Sequence, residues 1–126
     1  MEKALVHLVD DDAAVRGTLA RLLVSGGYRV REYETGLDLV AASATLRSGC
    51  VLLDIDMPGA DGFQIHQLLR DRSVDLPVIL MTGGGDLTLL ALKAGASDFI
   101  QKPFGRGELL SLIEQIVAGP CLASTH

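Results

Sequence analysis

Short apolar runs that do not alternate with polar residues constrain the fold of this chain more than any other feature. Strong runs cover Ala4–Val9, Cys50–Leu53 and Val78–Met81, and a weaker one covers Phe99–Ile100. Runs of this kind are typical of strands buried on both faces of a parallel sheet. The segment Tyr28–Tyr33 alternates more and carries charges, which predicts an edge strand.

Apolar residues at helical spacing follow each of these strands. They are Val15, Leu19, Leu22 and Leu23; Leu37, Val40, Ala41 and Ala44; Ile65, Leu68 and Leu69; Leu87, Leu90, Ala91 and Ala94; and Leu109, Leu112, Ile113, Ile116 and Val117. Asp86 and Gly95 form a plausible cap pair for the fourth helix. Strand and helix thus alternate five times, which predicts a doubly wound α/β fold, a parallel sheet with helices on both faces.

Length and composition predict one globular domain. The chain has 126 residues, of which 48% are hydrophobic and 21% charged, enough to enclose one core. We assign residues 1–118 to the domain. Residues 119–126 include glycine, proline and small polar residues, and we predict a flexible tail or the beginning of a linker.

Net charge and cysteine content indicate which partners and which cellular compartment to expect. The net charge is −5 without a local cluster of lysine and arginine, so we expect no direct contact with nucleic acid. Cys50 and Cys121 form neither a CxxC motif nor a disulfide framework, which fits a reducing cytoplasm. No segment has the length of a signal sequence or a membrane span, so we predict a soluble protein.

Polar residues end the central strands, where ligands bind in open parallel sheets. Asp10, Asp11 and Asp12 follow the first strand, Asp54 and Asp56 the third, Thr82 the fourth, and Lys102 the fifth. Crowded carboxylates repel one another unless a cation neutralises them, and Mg²⁺ suits such oxygen ligands. The ammonium of Lys102 and the hydroxyl of Thr82 suit phosphate oxygens.

Four motifs in this order resemble the receiver domains of bacterial two-component response regulators. They are Val9-Asp10-Asp11-Asp12, Leu52-Leu53-Asp54-Ile55-Asp56-Met57-Pro58-Gly59, Met81-Thr82-Gly83 and Phe99-Ile100-Gln101-Lys102-Pro103-Phe104. The resemblance implies a flavodoxin-like five-stranded sheet of order 2-1-3-4-5. The segments Thr-Gly-Gly-Gly-Asp and Lys-Ala-Gly-Ala-Ser-Asp-Phe are similar to those of receivers that precede helix-turn-helix transcription domains.

The resemblance also implies roles for individual residues. Asp54 would accept the phosphoryl group, and Asp11 and Asp54 would bind Mg²⁺ (or Mn²⁺) directly, together with the main-chain carbonyl of Asp56 and, through water, Asp10. Thr82 and Lys102 would bind phosphoryl oxygens, the Lys102–Pro103 peptide would be cis, and Thr82 and Phe99 would form the conformational switch.

Partners and activity follow from the same resemblance. The phosphoryl donor would be a sensor histidine kinase, and the chain would catalyse only its own phosphorylation and dephosphorylation. A homodimer formed on phosphorylation is a further expectation. The segment between Thr82 and Lys102 is, however, slightly shorter than usual in the family, in the region through which receivers dimerise.

Several residues allow a simpler interpretation. Phe99 is either the switch or an ordinary core residue, and Asp56 either alters phosphoryl lifetime or is an exposed loop residue. Three consecutive acids leave open whether Asp11 or Asp12 binds the metal, although an acid at position 12 is favoured as a helix start. Gly83-Gly84-Gly85 is interpreted as a mobile loop and not as a P-loop. His66 is predicted to be an ordinary surface histidine and not a phosphotransfer group. His7 is not predicted to bind a metal.

Two other functions compete with a phosphoaccepting receiver. Asp54-Ile55-Asp56 resembles the DxD signature of a small phosphohydrolase, but Met57-Pro58 replaces the usual continuation and the acids of the first strand stay unexplained. The second rival is a receiver-like binding module that accepts no phosphate. The presence of every expected site residue argues against it.

Overall fold

The computed structural model describes residues 4–46, 48–55, 62–83 and 98–124. They form five strands: β1 (Leu5–Val9), β2 (Arg29–Tyr33), β3 (Cys50–Asp54), β4 (Val78–Thr82) and β5 (Asp98–Gln101). The helices are α1 (Ala13–Ser25), α2 (Gly36–Ala41), α3 (Gly62–Asp71) and the C-terminal helix (Arg106–Ser124), with a 3₁₀ turn at Ser43–Thr45. The helix predicted over residues 87–94 lies outside the described residues.

The strands form one parallel sheet in the order β2-β1-β3-β4-β5. This order confirms the predicted flavodoxin-like topology and places β2 at an edge, as its charged pattern indicated. Every residue of β3 and of β4 is buried, which explains why these two strands contain continuous apolar runs.

Two apolar clusters, one on each face of the sheet, form the core. On one face β3 contributes Val51 and Leu53, packed against Leu39 of α2 and Ile65 and Leu69 of α3. On the other face the sheet packs against α1 and the C-terminal helix through residues that include Leu8, Leu19, Leu23, Leu52, Leu109 and Ile113. Helices therefore cover both faces, as the alternating pattern predicted.

The structure differs from the predicted helices at several positions. Val15 and Leu37 are 37% and 59% exposed although they belong to the apolar patterns of their helices, and α2 ends at Ala41. Ala44 lies in the 3₁₀ turn. The C-terminal helix continues to Ser124, so residues 119–124 are helical where we predicted a tail or linker; the boundary of the domain stays a prediction.

Gly49 has no substitute in the turn before β3. Its φ of +94° lies in the left-handed region, and a Cβ there would collide with the main-chain oxygen of Leu5. The chain can therefore pass this close to the start of β1 only with glycine. This approach helps to set β1 and β3 side by side, with Val9 opposite Leu53.

Candidate metal and phosphoryl site

The strand register brings the predicted site residues to one edge of the sheet. Val9 pairs with Leu53, so the residues that follow them, Asp10 and Asp54, are neighbours across β1 and β3. Asp54 itself pairs with Met81, the residue before Thr82. The site thus arises where parallel strands end together.

Three carboxylates form a cluster at this edge. One oxygen from each of Asp10, Asp11 and Asp54 lies within 4.8 Å of the others. Asp10 and Asp54 are 1% and 4% exposed, whereas Asp11 is open to solvent. An oxygen donor set of this kind, with one open side, fits Mg²⁺, which binds few carboxylates and retains waters. The structure thereby supports Asp10, Asp11 and Asp54 as a candidate metal site.

Lys102 brings a positive charge to the two buried carboxylates. Its Nζ lies 3.0 Å from Asp54 Oδ2 and 3.4 Å from Asp10 Oδ2. Burial alone lowers the pKa of the ammonium, but the hydrogen bond to Asp54 and the negative charges of Asp54 and Asp10 outweigh burial, so the pKa of Lys102 is raised. The Lys102–Pro103 peptide bond is cis, as predicted.

Asp10 is held through all of its polar groups. Its main-chain N–H donates to Tyr33 O, its carbonyl accepts from Arg16 Nη1, Oδ1 accepts from the N–H of Asp12, and Oδ2 faces Lys102. Burial raises the pKa of Asp10, while the bond from Asp12 and the charge of Lys102 act in the opposite direction. The carboxylate is therefore fixed in position before any ligand arrives.

Asp12 begins α1 instead of joining the carboxylate cluster. Its side chain accepts hydrogen bonds from the N–H groups of Ala14 (3.0 Å) and Val15 (3.1 Å), as an N-cap residue does. The prediction that Asp12 starts the helix is thus confirmed, while the choice of Asp11 as metal ligand stays a prediction. Asp11 is the second acid of the cluster.

The two predicted switch residues lie on neighbouring strands. Thr82 is fully buried at the end of β4, and its main-chain oxygen accepts from the N–H of Lys102 at 2.7 Å. Phe99 of β5 is partly buried against the apolar cluster beside α2 and α3. Its role as a switch stays a prediction. Asp56 and residues 84–85 lie outside the described residues.

Two histidines lie within the described residues, His7 and His66, and both are buried, which corrects the prediction for His66. His66 is 4% exposed, so the prediction of a surface histidine was wrong; burial and the charge of Arg70 lower its pKa. His7 lies in the core. Its Nε2 donates to the carbonyl of Ser48 at 3.3 Å, and its Nδ1 accepts from the hydroxyl of Tyr33 at 3.1 Å. These bonds explain His7 without a metal.

Sequence reasoning missed Arg16. Its guanidinium on α1 reaches both the carbonyl of Asp10 at 2.8 Å and the carboxylate of Glu32 on β2 at 3.2 Å. The available signal was its spacing, because a cation one turn after the N-cap residue Asp12 lies on the side of the helix that faces the end of β1.

Comparison with known proteins decides the family. The profile of the response regulator receiver domain matches residues 6–114. The chain belongs to the response regulator receiver family. This receiver is 39% identical over 114 residues to the transcriptional regulatory protein FixJ of Azorhizobium caulinodans, covering 89% of the chain and 54% of that protein. It is 40% identical over 114 residues to the tetrathionate response regulatory protein TtrR of Salmonella typhimurium, covering 89% and 55%.

Solved structures agree with the family assignment. Full-length FixJ from B. japonicum superposes on this receiver with a TM-score of 0.86 at 35% identity, covering 93% of this chain and 59% of that one. FixJ-N gives the same TM-score at 32% identity, covering 93% of this chain and 95% of that one. The chain thus spans about half the length of FixJ and TtrR and nearly all of FixJ-N.

Among the helices of the described residues, none combines the length and the hydropathy that a membrane span requires.

Cys50 is a free cysteine buried in β3, and burial raises the pKa of its thiol to about 12. A thiol with this pKa stays protonated at neutral pH and is a poor nucleophile.

Proposed function

We propose that this receiver accepts a phosphoryl group on Asp54 from a phosphohistidine of a sensor histidine kinase. The observation that carries the proposal is the environment of Asp54, a buried carboxylate that lies 3.0 Å from the ammonium of Lys102 and shares a cluster with Asp10 and Asp11. A carboxylate and a phosphate repel each other, and a nucleophile flanked by cations overcomes that repulsion.

The transfer balances as a displacement at phosphorus. An oxygen of Asp54 forms the new P–O bond, the P–N bond of phosphohistidine breaks, and the electron pair leaves with the imidazole nitrogen. A divalent ion bound by Asp11 and Asp54, Mg²⁺ or Mn²⁺, would supply charge neutralisation at the transferred oxygens. The ammonium of Lys102, 3.0 Å from Asp54, would add a second positive charge beside the transferred oxygens. Thr82 would offer a hydroxyl from the end of the adjoining strand.

Loss of the phosphoryl group uses the same residues. Water attacks phosphorus, the P–O bond to Asp54 breaks, and inorganic phosphate leaves while the carboxylate is restored. The chain changes itself in both reactions and turns over no separate organic substrate, so we class it as a signalling module and not as an enzyme. Acetyl phosphate can replace the kinase as donor in a test, since it too carries an activated phosphoryl group.

The output proposed for the whole protein is control of transcription, in a cytoplasmic two-component system. Support comes from the relatives, which are named as transcriptional or response regulatory proteins and extend well beyond the matched half. The domain boundary at residue 118, the conformational switch through Thr82 and Phe99, the main-chain ligand from Asp56 and the phosphorylation-dependent homodimer are parts of the same proposal.

One experiment separates this proposal from its two rivals. The purified chain is incubated with Mg²⁺ and either acetyl phosphate or an aryl phosphate, and phosphate release and the phosphorylated fraction are both measured. A receiver incorporates no more than one phosphoryl group per chain from acetyl phosphate and leaves the aryl ester intact. Sustained release from the aryl ester would mean a phosphohydrolase, and no incorporation would mean a binding module that accepts no phosphate.

A further inference from the structure

Arg16 joins the metal site to the neighbouring strand without touching any carboxylate of the site. Its Nη1 donates to the main-chain carbonyl of Asp10 at 2.8 Å, and its Nε donates to Glu32 Oε1 at 3.2 Å. The side chain of Arg16 is only 18% exposed, against 46% for Glu32. The guanidinium is thus largely shielded from solvent and is fixed by hydrogen bonds on two sides. Its planar arrangement of N–H donors is suited to binding two acceptors at once.

The carbonyl of Asp10 belongs to the peptide unit that joins Asp10 and Asp11, the two residues that follow β1. A peptide unit is planar, so fixing the oxygen of residue 10 also fixes the plane that carries the nitrogen and Cα of Asp11. Asp10 is buried and has other anchors, but Asp11 is exposed in the bend between β1 and α1. The direction in which Asp11 leaves the strand therefore depends on that plane.

We infer that Arg16 is a positioning residue for the metal ligands, acting through the Asp10–Asp11 peptide, and that Glu32 in turn holds Arg16. The inference rests on the proposed binding of Mg²⁺ by Asp11. Residues that orient ligands without touching the metal commonly change metal affinity 10- to 100-fold when they are replaced. Since Arg16 acts through the main chain and Asp10 keeps its other bonds, we expect about a tenfold loss of affinity for Arg16→Met, the lower end of that range.

The sign of the effect distinguishes positioning from simple electrostatics. Arg16 carries a positive charge close to a site that binds a cation, so removing that charge alone would strengthen Mg²⁺ binding. Loss of positioning would weaken it. A merely structural role would lower the melting temperature and leave the affinity of the folded protein unchanged.

The experiment is a Mg²⁺ titration followed by amide NMR of the whole chain, in wild type and in Arg16→Met, Arg16→Lys and Arg21→Met. Arg21 is the matched control, because it lies on the same helix, is exposed, and has its one described side-chain bond to Thr18. We expect Arg16→Met to bind about tenfold more weakly. Arg16→Lys keeps the charge but lacks the fork, so it should lose affinity too, while Arg21→Met should bind as wild type does or slightly more tightly.

Hydrogen exchange of the metal-free protein provides a second readout. The amides of Asp11 and Asp12 should exchange faster in Arg16→Met, whereas they should be unchanged in Arg21→Met. If Arg16→Met fails to fold, Arg16→Lys and Glu32→Met, which removes the anchor of Arg16, carry the test with the same expected direction.

The outcomes separate this inference from the proposed function. If the wild type shows no Mg²⁺ binding, the proposed metal site is wrong. If the wild type binds Mg²⁺ and a folded Arg16→Met binds it as tightly or more tightly, with unchanged exchange at Asp11 and Asp12, the positioning role is refuted and the metal site stands.

Discussion

The choice between Asp11 and Asp12 as metal ligand can be tested with two substitutions that each remove one charge. Asp11→Asn removes a carboxylate from the cluster with Asp10 and Asp54. Asp12→Asn removes the same charge one residue later and keeps α1 capped, because asparagine caps a helix as well as aspartate does. The two variants therefore carry the same charge, but only Asp11→Asn is predicted to lose a metal ligand.

The size of the effect follows from linkage. With few charged ligands and several retained waters, we expect a Mg²⁺ Kd of about 1 mM, so about 10 mM Mg²⁺ stabilises the wild type by roughly 1.4 kcal/mol. A chain of 126 residues has an unfolding entropy of about 0.26 kcal/mol/K at about 2.1 cal/mol/K per residue. Mg²⁺ should therefore raise the Tm of the wild type by about 5 °C.

At the same Mg²⁺ concentration the two variants should differ clearly in the rise of their Tm. A tenfold weaker Kd in Asp11→Asn leaves about 0.4 kcal/mol of stabilisation, or roughly 1.5 °C. Loss of a nearby charge without loss of a ligand weakens Kd only about two- to threefold, so Asp12→Asn should retain a rise of about 3.5 °C.

Differential scanning calorimetry with EDTA and with Mg²⁺, at matched ionic strength, measures these shifts. Each variant is compared with its own metal-free form, since Asp11→Asn also removes repulsion between carboxylates and changes the starting Tm. Equal shifts in all three proteins, or a larger loss in Asp12→Asn than in Asp11→Asn, would refute the assignment of Asp11.

Three further predictions concern Lys102, the two buried histidines and Thr82. Lys102→Met should slow phosphorylation by acetyl phosphate about 10²-fold at saturating Mg²⁺, because it removes the cation 3.0 Å from Asp54, and a rate within threefold of wild type would exclude that role. The pKa values of His7 and His66 lie below 6.5, so their neutral forms stabilise the fold fully above pH 6.5 and this contribution is lost as the pH falls below that value. Urea unfolding at pH 7.5 and 5.5 should show this loss in the wild type and a smaller one in a His7→Gln, His66→Gln double variant; equal losses would contradict the assignment. With beryllofluoride as a phosphoryl mimic and Mg²⁺, amide signals over residues 86–104 should shift in the wild type and shift less in Thr82→Ala, and unchanged signals in both would mean that the receiver does not signal through this face.

The fold was predictable because its determinants are local. The runs Cys50–Leu53 and Val78–Met81 are buried on both faces of the sheet, so their patterns contain the signal of central parallel strands. The charges of β2 likewise marked an edge. The sequence patterns said less about helix length, since α2 stops at Ala41 and leaves Leu37 at the surface, which costs a protein little.

The site was predictable where its residues end strands, and Asp10, Asp54 and Lys102 do meet. The burial of His66 was missed although it precedes Leu69 by three residues, a spacing that places both on one face of α3. Arg16 was missed for a different reason. Its partners are a main-chain oxygen and Glu32 on another strand, so its spacing after Asp12 indicated the side of the helix but identified neither partner.

The central claim, that Asp54 accepts the phosphoryl group, is tested most directly by intact-mass spectrometry after incubation with acetyl phosphate and Mg²⁺, for the wild type and for Asp54→Asn. The account predicts one phosphoryl adduct per chain in the wild type, removed by hydroxylamine as an acyl phosphate should be, and no adduct in Asp54→Asn. An adduct of equal yield in Asp54→Asn, or none in a folded wild type that binds Mg²⁺, would contradict it.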